Sequence, residues 1–137
     1  MVNDGRGPIR VLVAEDDDLV RSLIERLLTM QGWQVVAVEN GVEAVAAWEA
    51  AGGFDLGILD VRMPRMNGYD AYLSMRRISP AARFLFVSGY AEEEIERRLV
   101  EGERLPFMAK PFDSDALLER VYALLGQDGR RPLYGAY

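Results

Sequence analysis

Cysteine and histidine are both absent from this chain, and lysine occurs once, at Lys110. Without cysteine there is no disulfide framework, no thiolate nucleophile and no cysteine-ligated zinc or iron–sulfur site. Without histidine the commonest general base and the commonest metal ligand are missing. No apolar run approaches the roughly 20 residues that a membrane helix requires. Residues 1–8 lack the apolar core of a secretory signal, so a cytoplasmic protein is expected. The charge balance excludes more. Sixteen cationic side chains face 22 acidic ones, a net charge of −6. Nonspecific nucleic-acid binding needs cations to displace phosphate counterions, and Arg130–Arg131 is too short a basic run to supply them. Any chemistry must therefore rest on carboxylates, hydroxyls, backbone groups, arginine or the single lysine.

What is present is an ordinary globular composition. Of 137 residues, half are hydrophobic and 28% are charged, which predicts one domain with a full core. Residues 1–8 read as a flexible leader and 126–137 as a tail. Between them, short apolar runs alternate with helical periods. Ile9–Ala14, Trp33–Val38, Asp55–Asp60, Arg83–Val87 and Leu105–Ala109 read as strands. The first and third runs are apolar up to their carboxyl ends, the pattern of strands buried on both faces.

Helices are expected after each strand. Leu19, Val20, Leu23, Ile24, Leu27 and Leu28 recur at helical spacing after an N-cap at Asp17 or Asp18, with Gly32 as the stop. Asn40 caps a helix over 41–50, with Val42, Val45, Ala46 and Trp48 available for burial. Further helices are expected over 68–78 and 91–101, and a last one through Leu125 after an N-cap at Asp113 or Ser114. Five strand–helix alternations predict an α/β fold, a doubly wound parallel sheet with helices on both faces.

In such sheets ligands sit outside the carboxyl ends of the strands. Those ends carry Glu15 and Asp16, then Asp60, then Ser88, then Lys110 followed by Pro111. Three clustered carboxylates repel one another unless neutralised. Lys110 can neutralise one charge. A divalent cation can neutralise the others, and hard oxygen ligands point to Mg²⁺ or Mn²⁺. Such an edge suits a phosphoryl group, with Asp60 the best-placed carboxylate nucleophile and Ser88 a hydrogen-bond donor.

The segments Val11–Asp17, Leu59–Gly68, Val87–Tyr90 and Lys110–Phe112 together resemble the motifs of response-regulator receiver domains. The resemblance covers about residues 9–125. It implies a five-stranded sheet of order 2-1-3-4-5 and a phosphorelay role. Asp60 would accept a phosphoryl group from a histidine kinase or histidine phosphotransfer protein. Asp16 would hold Mg²⁺ directly, and Glu15 directly or through water, with Asp60 and the backbone carbonyl of Arg62 as further ligands. Ser88 and Lys110 would bind phosphoryl oxygens, and the Lys110–Pro111 bond would be cis. Phe107 matches an aromatic switch position whose rotamer follows Ser88. The switched face would comprise the helix over 91–101, the fifth strand and the last helix. That face would serve an unidentified protein target in trans, or a homodimer, because residues 126–137 are too few for an output domain; the chain would be a stand-alone receiver or one cut from a larger hybrid kinase. Its only catalysis would be its own aspartyl phosphorylation and dephosphorylation.

Several positions depart from the commoner pattern. Glu15 stands where aspartate is usual, and its longer arm can shift a metal or admit a water. Phe107 has no hydroxyl, so a tyrosine-type hydrogen bond is excluded. Arg62 and Tyr90 are large residues at positions that, by the resemblance, flank the path of a hydrolytic water, so their bulk predicts a shielded acyl phosphate. Three competing readings are weaker. A haloacid-dehalogenase-type phosphatase needs a carboxylate where Arg62 stands. A flavodoxin needs a phosphate loop where Glu15–Asp18 would repel the ligand. A phosphorylation-independent interaction module has no need of the Asp60, Ser88 and Lys110 set.

Overall fold

The structure is a computed structural model, and it describes residues 8–89, 102 and 104–126. The expected helix over 91–101, Tyr90, the leader short of Pro8 and the tail beyond Gly126 lie outside those residues. Five parallel strands form one sheet in the order β2-β1-β3-β4-β5. They are β1 (Arg10–Ala14), β2 (Gln34–Val38), β3 (Leu56–Asp60), β4 (Arg83–Ser88) and β5 (Phe107–Ala109). The described helices are α1 (Asp18–Thr29), α2 (Gly41–Ala51), α3 (Gly68–Ile78) and α4 (Ser114–Leu125). No helix among the described residues is long and apolar enough to cross a membrane.

Alternation along each strand sends side chains to opposite faces. Val11 and Val13 pack with Ile24 and Leu28 of α1 and with Leu117 and Val121 of α4. Leu12 and Ala14 pack with Ala44 and Trp48 of α2 and with Tyr72 and Met75 of α3. The sheet is thus covered on both sides. The central strands must then be apolar at every position, which explains their unbroken runs.

Helix starts follow local chemistry. Asp17 caps α1 by accepting from the N–H groups of Leu19 and Val20, Asn40 caps α2 through Glu43 N, and Asp113 caps α4 through Ala116 N. Asn67 caps α3 through Asp70 N. Gly68 then lets α3 start against the end of β3, because a Cβ there would collide with the main-chain oxygen of Asp60. That close approach fixes the loop directly after Asp60, with Gly68 N donating to Val61 O at 2.8 Å.

Two expectations need correction. Ala46 is exposed, and Ala44 is the buried position. Ala44 lies one turn before Trp48 and shares its sheet-facing side. The fifth strand starts at Phe107 rather than Leu105. Pro106 has no N–H to give a ladder, although its carbonyl still accepts from Phe86 N at 3.0 Å.

Candidate functional site

All five strands run the same way, so their carboxyl ends share one edge. Glu15 follows β1 and is fully buried, while Asp60 ends β3 at 4% exposure. Asp16 beside them is exposed. Carboxylate oxygens of Glu15, Asp16 and Asp60 lie within 4.8 Å of one another. Lys110 follows β5 and reaches back across the edge. Its Nζ donates to Glu15 Oε1 at 2.9 Å and to Asp60 Oδ2 at 3.4 Å. The Lys110–Pro111 bond is cis.

The electrostatics of this edge are unbalanced. Burial pushes the Asp60 carboxyl up to about 8, and the neighbouring Glu15 charge adds to the rise, while Lys110 opposes it. Burial also works against charging Lys110, but its hydrogen bond to Glu15 and the nearby carboxylates outweigh burial and raise its pKa. One ammonium does not neutralise three carboxylates, so burial and the Glu15 charge both work against ionising Asp60. The donor set consists of hard carboxylate oxygens, with no nitrogen or sulfur ligand. It fits a hard divalent cation of the Mg²⁺ or Mn²⁺ kind.

Glu15 is tied at every polar atom. Its N–H donates to Val38 O at 3.0 Å. Its Oε2 accepts from Asp17 N at 3.0 Å. Its carbonyl accepts from Arg21 at 2.9 Å. The longer arm of Glu15 takes the closer of the two Lys110 contacts.

Ser88 ends β4 and is 1% exposed, and its carbonyl accepts from Lys110 N at 2.8 Å. Arg62 lies on the loop after Asp60, exposed, and its N–H donates to Asp60 Oδ1 at 3.3 Å. Phe107 opens β5, paired with Phe86 of β4. It is half-buried against the cluster that holds Phe86, Leu59 and Tyr72. Sequence reasoning missed Arg21, whose partner is a main-chain carbonyl. It also missed an apolar groove of about 630 Å³ lined by Val20, Leu23, Lys110, Pro111 and Phe112. Leu19 and Leu23 nearby are 82% and 41% exposed.

Fold and site together define a class: a doubly wound domain with an acidic, lysine-bridged strand edge. The response regulator receiver domain family matches residues 11–122. The chain belongs to this family of two-component signalling domains. It is 37% identical over 123 residues to the sensor kinase CckA of Brucella abortus, covering 89% of this chain and 13% of the kinase. It is 30% identical over 113 residues to the chemotaxis protein CheY of Bacillus subtilis, covering 82% of this chain and 93% of CheY. The receiver domain of the hybrid histidine kinase CckA superposes with a TM-score of 0.70 at 34% identity, covering 85% of this chain and 99% of that one. The chain thus spans a small part of one of these relatives and nearly the whole of another.

Proposed function

We propose that the chain is a phosphoacceptor that takes a phosphoryl group from a phosphohistidine on a partner protein onto Asp60. The observation that carries this reading is the convergence of three carboxylates with the Lys110 ammonium at one strand edge. The Asp60 carboxylate attacks phosphorus, an O–P bond forms and the N–P bond of the donor breaks. The donor imidazole, already carrying a proton on its other ring nitrogen, leaves as a neutral ring with the bond's electron pair. Such transfers depend on positioning and charge stabilisation more than on covalent assistance. Glu15, Asp16, Asp60 and the Arg62 carbonyl would hold a divalent cation, which offsets the charge of the carboxylates and of the incoming phosphoryl oxygens.

The chain's own residues do the rest. Arg62 N–H and Lys110 orient the Asp60 carboxyl from two sides. Lys110 shifts from Glu15 toward the new phosphoryl oxygens, and Ser88 binds another. Strand β5 then relays the change through Phe107 to the face that meets a partner in trans. We assign residues 9–125 to this receiver unit.

The decisive test is incubation with acetyl phosphate and Mg²⁺, read by mass spectrometry. The expected result is a gain of one hydroxylamine-sensitive phosphoryl group that is lost in Asp60→Asn. No gain with any small phosphodonor, or equal labelling of Asp60→Asn, would sink the reading and favour a phosphorylation-independent binding module.

The apolar groove beside Lys110 suits the donor protein. Leu19 and Leu23 are larger and more exposed than a helix facing only water needs, and a docked donor would cover them beside the acceptor. Leu23→Glu is expected to slow phosphotransfer from a phosphorylated histidine partner by about tenfold, the cost of one lost apolar anchor. Labelling by acetyl phosphate should stay unchanged, because the small donor needs no docking face. Equal slowing with both donors would count against this assignment.

A further inference from the structure

We infer that Arg21 is a positioning residue that presets the acidic edge for its cation; the inference rests on the phosphoacceptor reading above. Arg21 lies one turn into α1, with its side chain 20% exposed. Its guanidinium spans two partners at once. One terminal nitrogen donates to the Glu15 carbonyl at 2.9 Å, and the other to Asp18 Oδ1 at 2.6 Å. The main-chain N–H of Arg21 donates to Asp17 O at 2.8 Å. The fork therefore clamps the end of β1 to the first turn of α1.

The consequence falls on the peptide between Glu15 and Asp16. A carbonyl held in place fixes the plane of the peptide that follows it. The Glu15 N–H is already held by Val38, and its two carboxylate oxygens by Lys110 and Asp17 N. Arg21 supplies the remaining tie. Asp16 is the exposed member of the trio, and its carboxylate takes its aim from that peptide. Outer partners that orient metal ligands commonly change metal affinity by ten- to a hundredfold when removed.

The sign of the effect separates positioning from simple charge. Arg21 is a cation close to the acidic edge, with Asp18, Glu39 and Glu15 acting on it. If charge alone mattered, removing it would tighten binding of a divalent cation. If the clamp matters, removing it loosens binding. Lysine keeps the charge but has no planar fork to serve two acceptors in fixed directions.

Isothermal titration of wild type, Arg21→Gln and Arg21→Lys with Mg²⁺ tests this, alongside urea unfolding of each in EDTA. The expected result is a Kd about tenfold weaker in Arg21→Gln, with little recovery in Arg21→Lys. Unchanged or tighter binding in Arg21→Gln overturns the inference, as does full recovery in Arg21→Lys. A purely structural residue would lower the unfolding midpoint in EDTA and leave the Kd of the folded protein alone. Should Arg21→Gln fail to fold, the Arg21→Lys Kd decides by the same criterion. No Mg²⁺ binding by the wild type would instead overturn the phosphoacceptor reading beneath it.

Discussion

Lys110→Met is expected to destabilise the metal-free protein by about 3 kcal/mol at pH 8, the cost of stripping a buried ion pair of one partner. Glu15 is fully buried and Asp60 is 4% exposed, so neither carboxylate recovers its hydration when the ammonium goes. The loss should shrink toward pH 5, where the Asp60 carboxyl is protonated and the repulsion at the edge is relieved. The same substitution should tighten Mg²⁺ binding. Lys110 Nζ occupies Glu15 Oε1 and Asp60 Oδ2, and a cation at this edge competes for those oxygens. Urea unfolding with and without Mg²⁺ measures both halves. A variant as stable as wild type in EDTA at pH 8 would remove the pair from the stability of the fold. Lys110→Arg keeps the net charge at −6, yet a broad guanidinium cannot reproduce the two contacts of a compact ammonium. It should restore part of the stability and little of the phosphorylation-dependent switching.

That one lysine also marks what could be read from the sequence. Strands buried on both faces declare themselves as apolar runs. Once those strands are parallel, the residues that close the runs, Glu15, Asp60 and Lys110, must share one edge. Capping was legible at Asn40, and to within one residue at Asp17 and Asp113, because a carboxylate or amide before a helical period has a local job. Less was legible where the partner is main chain. Arg21 reads as one more cation on a helix, and nothing in side-chain spacing reveals that it holds the Glu15 carbonyl. In α2, alanines surround the helix, so the period does not distinguish Ala46 from Ala44. On α1 the apolar positions form a stripe wider than the core needs. Ile24 and Leu28 fill the core, and Leu19 and Leu23 are left at the surface. Spacing gives the stripe but not its division between core and surface.

The pH dependence of stability should run opposite to that of a salt-bridged carboxylate. Asp60 has its carboxyl pushed up to about 8 by burial and by the Glu15 charge, against an ordinary value of 3.8. A group whose pKa is higher folded than unfolded binds its proton more tightly in the folded state. Its contribution to stability is fully present below the unfolded value and is lost as pH rises through the folded one. Metal-free protein should therefore lose stability between about pH 4 and pH 8, at roughly 1 kcal/mol per unit from this group. Asp60→Asn removes the titrating group and keeps the shape. It should flatten the profile and be the more stable of the two proteins at pH 8 in EDTA. A divalent cation at the edge favours the ionised carboxylate, so Mg²⁺ should stabilise wild type more at pH 8 than at pH 6 and release protons on binding. Urea midpoints at the two pH values, with EDTA and with Mg²⁺, give all four numbers. Wild-type stability that rises with pH in EDTA, or an Asp60→Asn profile parallel to wild type, would show that Asp60 is ionised in the folded protein and that Lys110 alone balances the edge.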